Sequence, residues 1–256
     1  MERSYGKLSA LFYDMDKPTP PKELLDFFLS YIDLDMRILE PMCGSGRLLV
    51  PLAEKGYNID GFDLSAEMLE KCRTKIKPIN KDSILEQCNF LEYKPEKRYH
   101  FIFIPSGSFS LIIDDEQIVS YLNHLEMLLE PNGKIVLDLL AGESDNIDDY
   151  SNVNKRTVKE GDTEIVLYDN LSEMDKTKNV AKYLLRYELY KNQILMEKEE
   201  EELNVKYYRT NEFEGYLRQV GLGQSSLKVE NKFADYQKTK YISQKTDVLI
   251  YELTKC

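Results

Sequence analysis

A short apolar run, Ile38 and Leu39, leads into Glu40, Pro41, Met42 and Cys43 and then into the turn Gly44-Ser45-Gly46. Residues 47–55 continue as a helix, which Gly56 ends. A strand that feeds a helix through glycines can hold a ligand across the carboxyl edge of a sheet, because no side chain projects from the turn into the ligand's path. Asp63 ends the following strand 19 residues after Gly44. In nucleotide folds of this kind a carboxylate about 20 residues on meets the ribose hydroxyls. The chemistry that this spacing suits is recognition of a ribosyl ligand.

Charge narrows the ligand. A dinucleotide site wants a third small residue, so that the helix can approach the pyrophosphate, and that position holds Leu49. Glu40 sets a carboxylate at the mouth of the turn, where it repels a pyrophosphate and suits an ammonium or a sulfonium. S-adenosylmethionine carries both cations and no phosphate, so it fits better than NAD.

These residues need a scaffold, and the period of the chain supplies one. A helix starts near Thr19-Pro20-Pro21 and runs through Leu24, Leu25, Phe28, Leu29 and Ile32. Strands are expected at 37–40, 58–63, 84–88, 100–104 and 134–140, with helices at 65–75, capped by Ser65, and 114–130. Strict alternation of this kind implies an α/β fold with a doubly wound parallel sheet and right-handed crossovers. After Gly142 a polar, acidic stretch (144–150) gives way to period two at 165–171, 180–190 and 194–207, an antiparallel meander. Tyr183, Leu185, Tyr187 and Leu189 share one face of its middle strand. The run Glu199 to Glu202 reads as a solvated edge that discourages strand addition. A helix at 210–220 and strands at 224–229 and 247–253 then extend the same sheet, to seven strands. The division expected is a core of residues 1–141 and 210–256, with 1–33 as a helical cap, and an inserted β lid at 142–209.

Composition sets outer limits. At 256 residues the chain suffices for one large domain or two small ones, and a formal net charge of −11 disfavours nucleic acid as a partner. No apolar run approaches a membrane span, and the start MERSYGKLSALFYD lacks a signal-peptide pattern, so no membrane and a cytoplasmic address are expected. Cys43, Cys72, Cys88 and Cys256 form no CxxC pair, and the only histidines are His100 and His124. No metal and no Ser-His-Asp chemistry are expected. His124, inside the 114–130 helix, reads as a packing or surface residue.

The sequence resembles the class I S-adenosylmethionine-dependent methyltransferases of the small-molecule type. The likeness rests on LEPMCGSGRLLVPLAEKGY (39–57), GFDLSAEMLEKCR (61–73), CNFLEY (88–93), IFIPSGSFSLI (102–112), LLEPNGKIVLDLL (128–140) and YYRTNEFEGYLRQVGL (207–222), in the family's order. It implies a Rossmann-like seven-stranded methyltransferase sheet and S-adenosylmethionine as cofactor, with S-adenosylhomocysteine as product. By the same resemblance Glu40 binds the methionyl amine, the turn from Gly44 to Gly46, with Cys43 before it, passes under the methionyl part, and Asp63 takes the ribose hydroxyls. Leu64 and Met68 pack on the adenine, Asn89 and Phe90 contact its edge and face, and Ile104, Pro105 and Ser106 line the wall near the sulfonium. Tyr13 matches an aromatic that closes over the cofactor. The chain departs from the family at Met42, where a first glycine is usual, and at Asn89, where an aspartate is usual.

The resemblance implies methyl transfer by in-line displacement to a small-molecule acceptor. The segment from Ile104 to Ser108 lacks the Asp/Asn-Pro-Pro-Tyr pattern of nucleic-acid amino-methyltransferases. The insertion resembles the antiparallel cover of glycine or amino-sugar N-methyltransferases, which points to an amine. Candidate acceptor contacts are Tyr13, Ser106, Ser108, Tyr207 and Arg209, with Tyr208 beside them, and Arg209 would suit a carboxylate. No residue stands out as a general base. Monomer and homodimer both remain open, as do two other readings: binding of S-adenosylmethionine without catalysis, and a nucleotide-dependent oxidoreductase on a similar sheet.

Overall fold

The computed structural model describes residues 5–79, 82–142, 152–223, 225–242 and 246–256. The polar stretch at 144–150, the first four residues of the cap and position 224 lie outside them.

Strands β1 (Arg37–Pro41), β2 (Asn58–Asp63), β3 (Leu85–Gln87), β4 (Tyr99–Ile104), β5 (Leu129–Leu140), β10 (Leu227–Phe233) and β11 (Val248–Lys255) form a seven-stranded sheet in the order β10-β11-β5-β4-β1-β2-β3. β1 to β5 pair in parallel, whereas β11 is antiparallel to both β5 and β10. The sheet is therefore mixed, where uniform alternation implied a parallel one. Among the described residues no helix separates β10 from β11, and antiparallel pairing needs no crossover there. β5 also starts earlier than its sequence suggests: Pro131-Asn132-Gly133 lies within it as an irregularity, with Asn132 left-handed at φ 63°.

Helices α3 (Leu49–Glu54), α4 (Ala66–Ile76) and α5 (Asp115–Leu128) connect β1 to β2, β2 to β3 and β4 to β5. Ser65 caps α4 through Met68 N and Asp114 caps α5 through Gln117 N, each supplying an acceptor to an otherwise unpaired N–H. On one side of the sheet Tyr121, Leu122 and Leu125 of α5 and Phe213 of α6 (Glu212–Leu217) pack with Leu39, Ile102, Leu137 and Tyr251. On the other, Phe27 and Phe28 of α2 (Lys22–Leu29) join Leu52, Leu69, Phe101 and Phe103.

The meander has four strands, β6 (Val153–Glu160), β7 (Thr163–Asp175), β8 (Val180–Lys191) and β9 (Ile194–Lys206), in a separate sheet of that order. β6 escapes period-two reading because VNKRTVKE is exposed on nearly every residue, leaving no apolar face to mark. The ends of the insertion meet: Ala141 bridges Tyr208, and Tyr208 N donates to Leu140 O at 2.8 Å.

A helix that the sequence reading placed only within a cap, α1 (Lys7–Asp16), joins the two sheets. Its Leu8 and Phe12 pack on Ile165, Leu167 and Tyr187 of the meander. Here the run of glutamates is more than a solvated edge. Glu199 Oε1 accepts from Leu8 N and Ser9 N at 3.0 Å each, and Glu201 Oε1 accepts from the Ser9 hydroxyl at 2.8 Å and from Gly6 N. Alternate side chains of β9 thus satisfy the N-terminal donors of α1, and their charge opposes its dipole. Glu200 and Glu202, on the other face, are exposed.

Candidate active site

The carboxyl ends of β1, β2 and β4 set Glu40, Asp63 and Ile104 in a row beneath α1, as expected for ligand sites in open α/β sheets. The cavity above them encloses about 250 Å³.

Glu40 lines it. The residue is 3% exposed, and its Oε2 is buried with no hydrogen-bond partner. Burial raises its pKa well above the usual carboxylate value, only partly offset by the Leu49 backbone. An unpaired buried carboxyl oxygen is costly, and a cationic ligand group would satisfy it.

The turn that follows is bent by left-handed residues. Gly44 has φ 54°, and a Cβ built on it meets only Met68 Sδ, at 4.0 Å, so the turn leaves open a space that any side chain would fill. Gly46 serves a different need. At φ 78° it lies against α4, and a Cβ there would come within 2.6 Å of Cys72 Sγ and 2.8 Å of Val50 Cγ2. It does not line the cavity, and its role is packing. Met42, in the place of the family's first glycine, keeps a left-handed φ of 56° despite its side chain and forms part of the cavity wall. Cys43 lines the cavity beside it, its thiol raised by a bond to Cys72 and by burial.

Asp63 also lines the cavity. Its Oδ2 accepts from Gly44 N and its Oδ1 from Ser65 N, both at 2.8 Å. Burial raises its pKa while those backbone bonds pull it down. Each oxygen keeps a lone pair for a ligand hydroxyl. Leu64, Met68, Asn89 and Phe90 continue the wall, with Phe90 stacked on Tyr121 at 4.4 Å. Asn89 also caps a short 3-10 turn, its Oδ1 taking Leu91 N at 3.3 Å.

Pro105, Ser106 and Ser108 form the remaining side. Asp138, 1% exposed on β5, fixes that loop by accepting Ser106 N at 2.8 Å, Gly107 N and the Tyr236 hydroxyl. Ile104 stands behind the wall, fully buried in the core. Tyr13 descends from α1 over the cavity, its hydroxyl bonded to Arg47 and its ring under Lys17 Nζ at 5.3 Å.

Two expected acceptor contacts lie elsewhere. Arg209 is spent on the β7–β8 turn, donating to Lys176 O at 2.6 Å and Thr177 O at 3.4 Å. Tyr207 pairs with the Tyr183 hydroxyl at 2.9 Å, and neither residue lines the cavity. Tyr208 is buried in the core. His124 is packed as well, with Nε2 2.8 Å from Tyr93 O. Sequence reasoning missed Tyr5, Lys17 and Arg47, which line the cavity together with Leu203 and Val205 of β9. Arg47 was legible as the residue after the glycine turn. Lys17 and Leu203 carried no local signal, because folding alone brings α1 and β9 over the sheet.

Among the described residues no group of three or more His, Cys, Asp and Glu could hold a metal ion, and no helix is long and apolar enough to cross a membrane. The cavity residues fit S-adenosylmethionine: an unpaired carboxyl oxygen on Glu40, an open glycine turn, and the two acceptor oxygens of Asp63.

Residues 38–133 match the family described as "Methyltransferase domain". YqeM of Bacillus subtilis (strain 168), a methyltransferase by name, is 26% identical over 103 residues, which span 40% of this chain and 42% of that relative. A solved S-adenosylmethionine-dependent methyltransferase from Clostridium acetobutylicum ATCC 824 superposes with a TM-score of 0.74 over 96% of both chains, at 18% identity. The sugar N-methyltransferase KedS8 from Streptoalloteichus sp ATCC 53650 gives 0.73 over 98% of this chain and 94% of its own, at 13% identity. The two structures share the fold, and the matched domain contains Glu40, the glycine turn and Asp63. Residues 38–133 thus carry a match to a methyltransferase domain, and the whole chain has the fold of solved S-adenosylmethionine-dependent methyltransferases.

Proposed function

We propose that the chain is a methyltransferase that uses S-adenosylmethionine to methylate a small-molecule amine. The observation that carries this reading is the buried, unpaired Oε2 of Glu40 in a cavity that Asp63 also lines. A cation is wanted at the first and hydroxyls at the second, and the ligand of this family bears both. Neighbours of the same fold include the sugar N-methyltransferase KedS8, which supports nitrogen as the acceptor atom.

Bound S-adenosylmethionine supplies an electrophilic methyl carbon, which an acceptor lone pair displaces from sulfur to leave neutral S-adenosylhomocysteine. The protein's part is alignment and exclusion of water. Glu40 holds the ammonium, Asp63 takes the ribose hydroxyls, and Leu64, Met68, Asn89 and Phe90 enclose the adenine. Pro105, Ser106 and Ser108, held by Asp138, wall the transfer site on the sheet side. Tyr13 closes it from above, on a helix clamped to the meander, which thereby serves as the lid. An amine that arrives unprotonated needs no further base.

Calorimetric titration with S-adenosylmethionine, S-adenosylhomocysteine and NADH tests the reading. Micromolar binding of the two adenosyl ligands is expected, with label transfer from S-adenosylmethionine to an amine acceptor. NADH binding in their place would support an oxidoreductase, and cofactor binding without transfer to any amine would reduce the protein to a binding module.

A further inference from the structure

The cofactor cavity does not end at Tyr13. A second chamber of similar size lies between α1 and the meander, and Tyr5, Tyr13, Lys17 and Leu203 line both. The outer chamber is walled by aromatic and apolar side chains, among them Phe12, Tyr183 and Tyr187, and by the carboxylates of Asp16 and Asp169 beside Arg156. Glu40, Asp63 and Arg47 line the inner cavity alone. The neck between the chambers is the place where an acceptor must reach the methyl group.

Charged groups around the neck divide into satisfied and unsatisfied. Arg156, in the outer chamber, is paired with Asp16 at 3.2 Å and Asp169 at 3.8 Å. Arg47 donates to Thr19 O at 3.3 Å and to the Tyr13 hydroxyl, on the same side as Glu40. Lys17 is different: it lies half-buried at the neck, its contact is the face of Tyr13, and no ion pair holds it among the described residues. Burial depresses its pKa, Arg47 and Arg156 add to the effect, and Asp16 opposes it. With Asp16 already paired to Arg156, the charge of a half-buried lysine beside two arginines is only partly compensated, and a bound anion relieves the rest.

We propose that the acceptor is an anionic amine, whose carboxylate or phosphate is received by Lys17 at the neck while its body lies against the aromatic wall of the outer chamber. This rests on the methyltransferase reading above and goes beyond it by naming the substrate class. Arg47 lines the inner cavity with Glu40 and not the outer chamber, which leaves Lys17 for the second ligand. The anion-recognition role expected of Arg209 thereby passes to a residue at the other end of the chain.

Matched probes test it. The protein loaded with S-adenosylhomocysteine is titrated with L-tyrosine against tyramine, and with glucosamine 6-phosphate against glucosamine. The first pair reads carboxylate and the second phosphate. At least a tenfold preference for the acid-bearing member is expected in one pair. Lys17→Met should abolish that preference and Lys17→Arg should restore it. Equal or better binding of the neutral members, no binding of either acid-bearing member, or a preference that survives in Lys17→Met overturns the proposal. Failure of the wild-type protein to bind S-adenosylhomocysteine at all would instead overturn the methyltransferase reading, so the two failures are separable.

Discussion

The Gly44 backbone N–H donates to Asp63 Oδ2 at 2.8 Å, which makes the glycine turn after β1 and the carboxylate at the end of β2 one structural unit. Asp63 both shapes the turn and presents its remaining lone pairs to the ligand. Asp63→Ala should therefore weaken S-adenosylhomocysteine binding by about 10- to 100-fold, the loss expected for one hydrogen bond to a charged group, worth about 1.5–3 kcal/mol. It should also lower stability by about 1–3 kcal/mol, because Gly44 N and Ser65 N lose their acceptor. Calorimetry and urea denaturation measure the two effects, and unaltered affinity would remove Asp63 from the site.

Glu40 should make binding depend on pH. Burial pushes its carboxyl well above the usual carboxylate range, so the free protein holds that proton more tightly and must release it to hold an ammonium. S-adenosylhomocysteine affinity should rise with pH through the raised Glu40 pKa, and Glu40→Gln should flatten the profile and bind more weakly. Stability of the free protein has the opposite sign. Because the folded state holds the proton more tightly, the contribution of Glu40 is full below about pH 4.5 and is lost as pH rises through its folded-state pKa. Melting of wild type and Glu40→Gln across pH 4 to 8 isolates that term, and identical profiles would contradict it.

The two glycines of the turn should fail differently. Gly46→Ala combines a left-handed backbone, costing about 1–2 kcal/mol, with contacts of 2.6 Å and 2.8 Å to Cys72 and Val50, and overpacking adds about 1–3 kcal/mol. Gly44→Ala carries only the backbone cost but places its methyl in the cavity. The first substitution should lose mainly stability in urea, and the second mainly S-adenosylhomocysteine affinity. The reverse pattern would mean that the roles of the two positions are exchanged.

Removing the clamp on α1 should open the cavity. Glu199→Ala with Glu201→Ala strips the acceptors from Gly6, Leu8 and Ser9, leaving the ion pairs Lys7–Glu197, Lys75–Asp14 and Arg156–Asp16 on the helix. Limited proteolysis within residues 7–16 should accelerate, by about fivefold or more for each ~1 kcal/mol of local stability lost. S-adenosylhomocysteine should dissociate faster, since Tyr13 is carried on that helix. Unchanged cleavage would show that the packing of Leu8 and Phe12 on the meander suffices.

Local pattern determined much of this protein. The turn at Gly44, the carboxylates at Glu40 and Asp63, the alternation of β1 to β5 with helices and the period-two insertion all follow from neighbours a few residues apart, where backbone geometry and burial leave a periodic mark. What the sequence left open depends on contacts between distant segments. β6 shows no apolar alternation, α1 gains its donors' partners from β9, and β11 pairs antiparallel with β5. Lys17 and Arg209 make the same point at the site. Both are single cations in polar stretches, and only tertiary packing sets Lys17 over the cavity and turns Arg209 toward the carbonyls of Lys176 and Thr177, because side-chain partners some 30 to 190 residues apart leave no local signature.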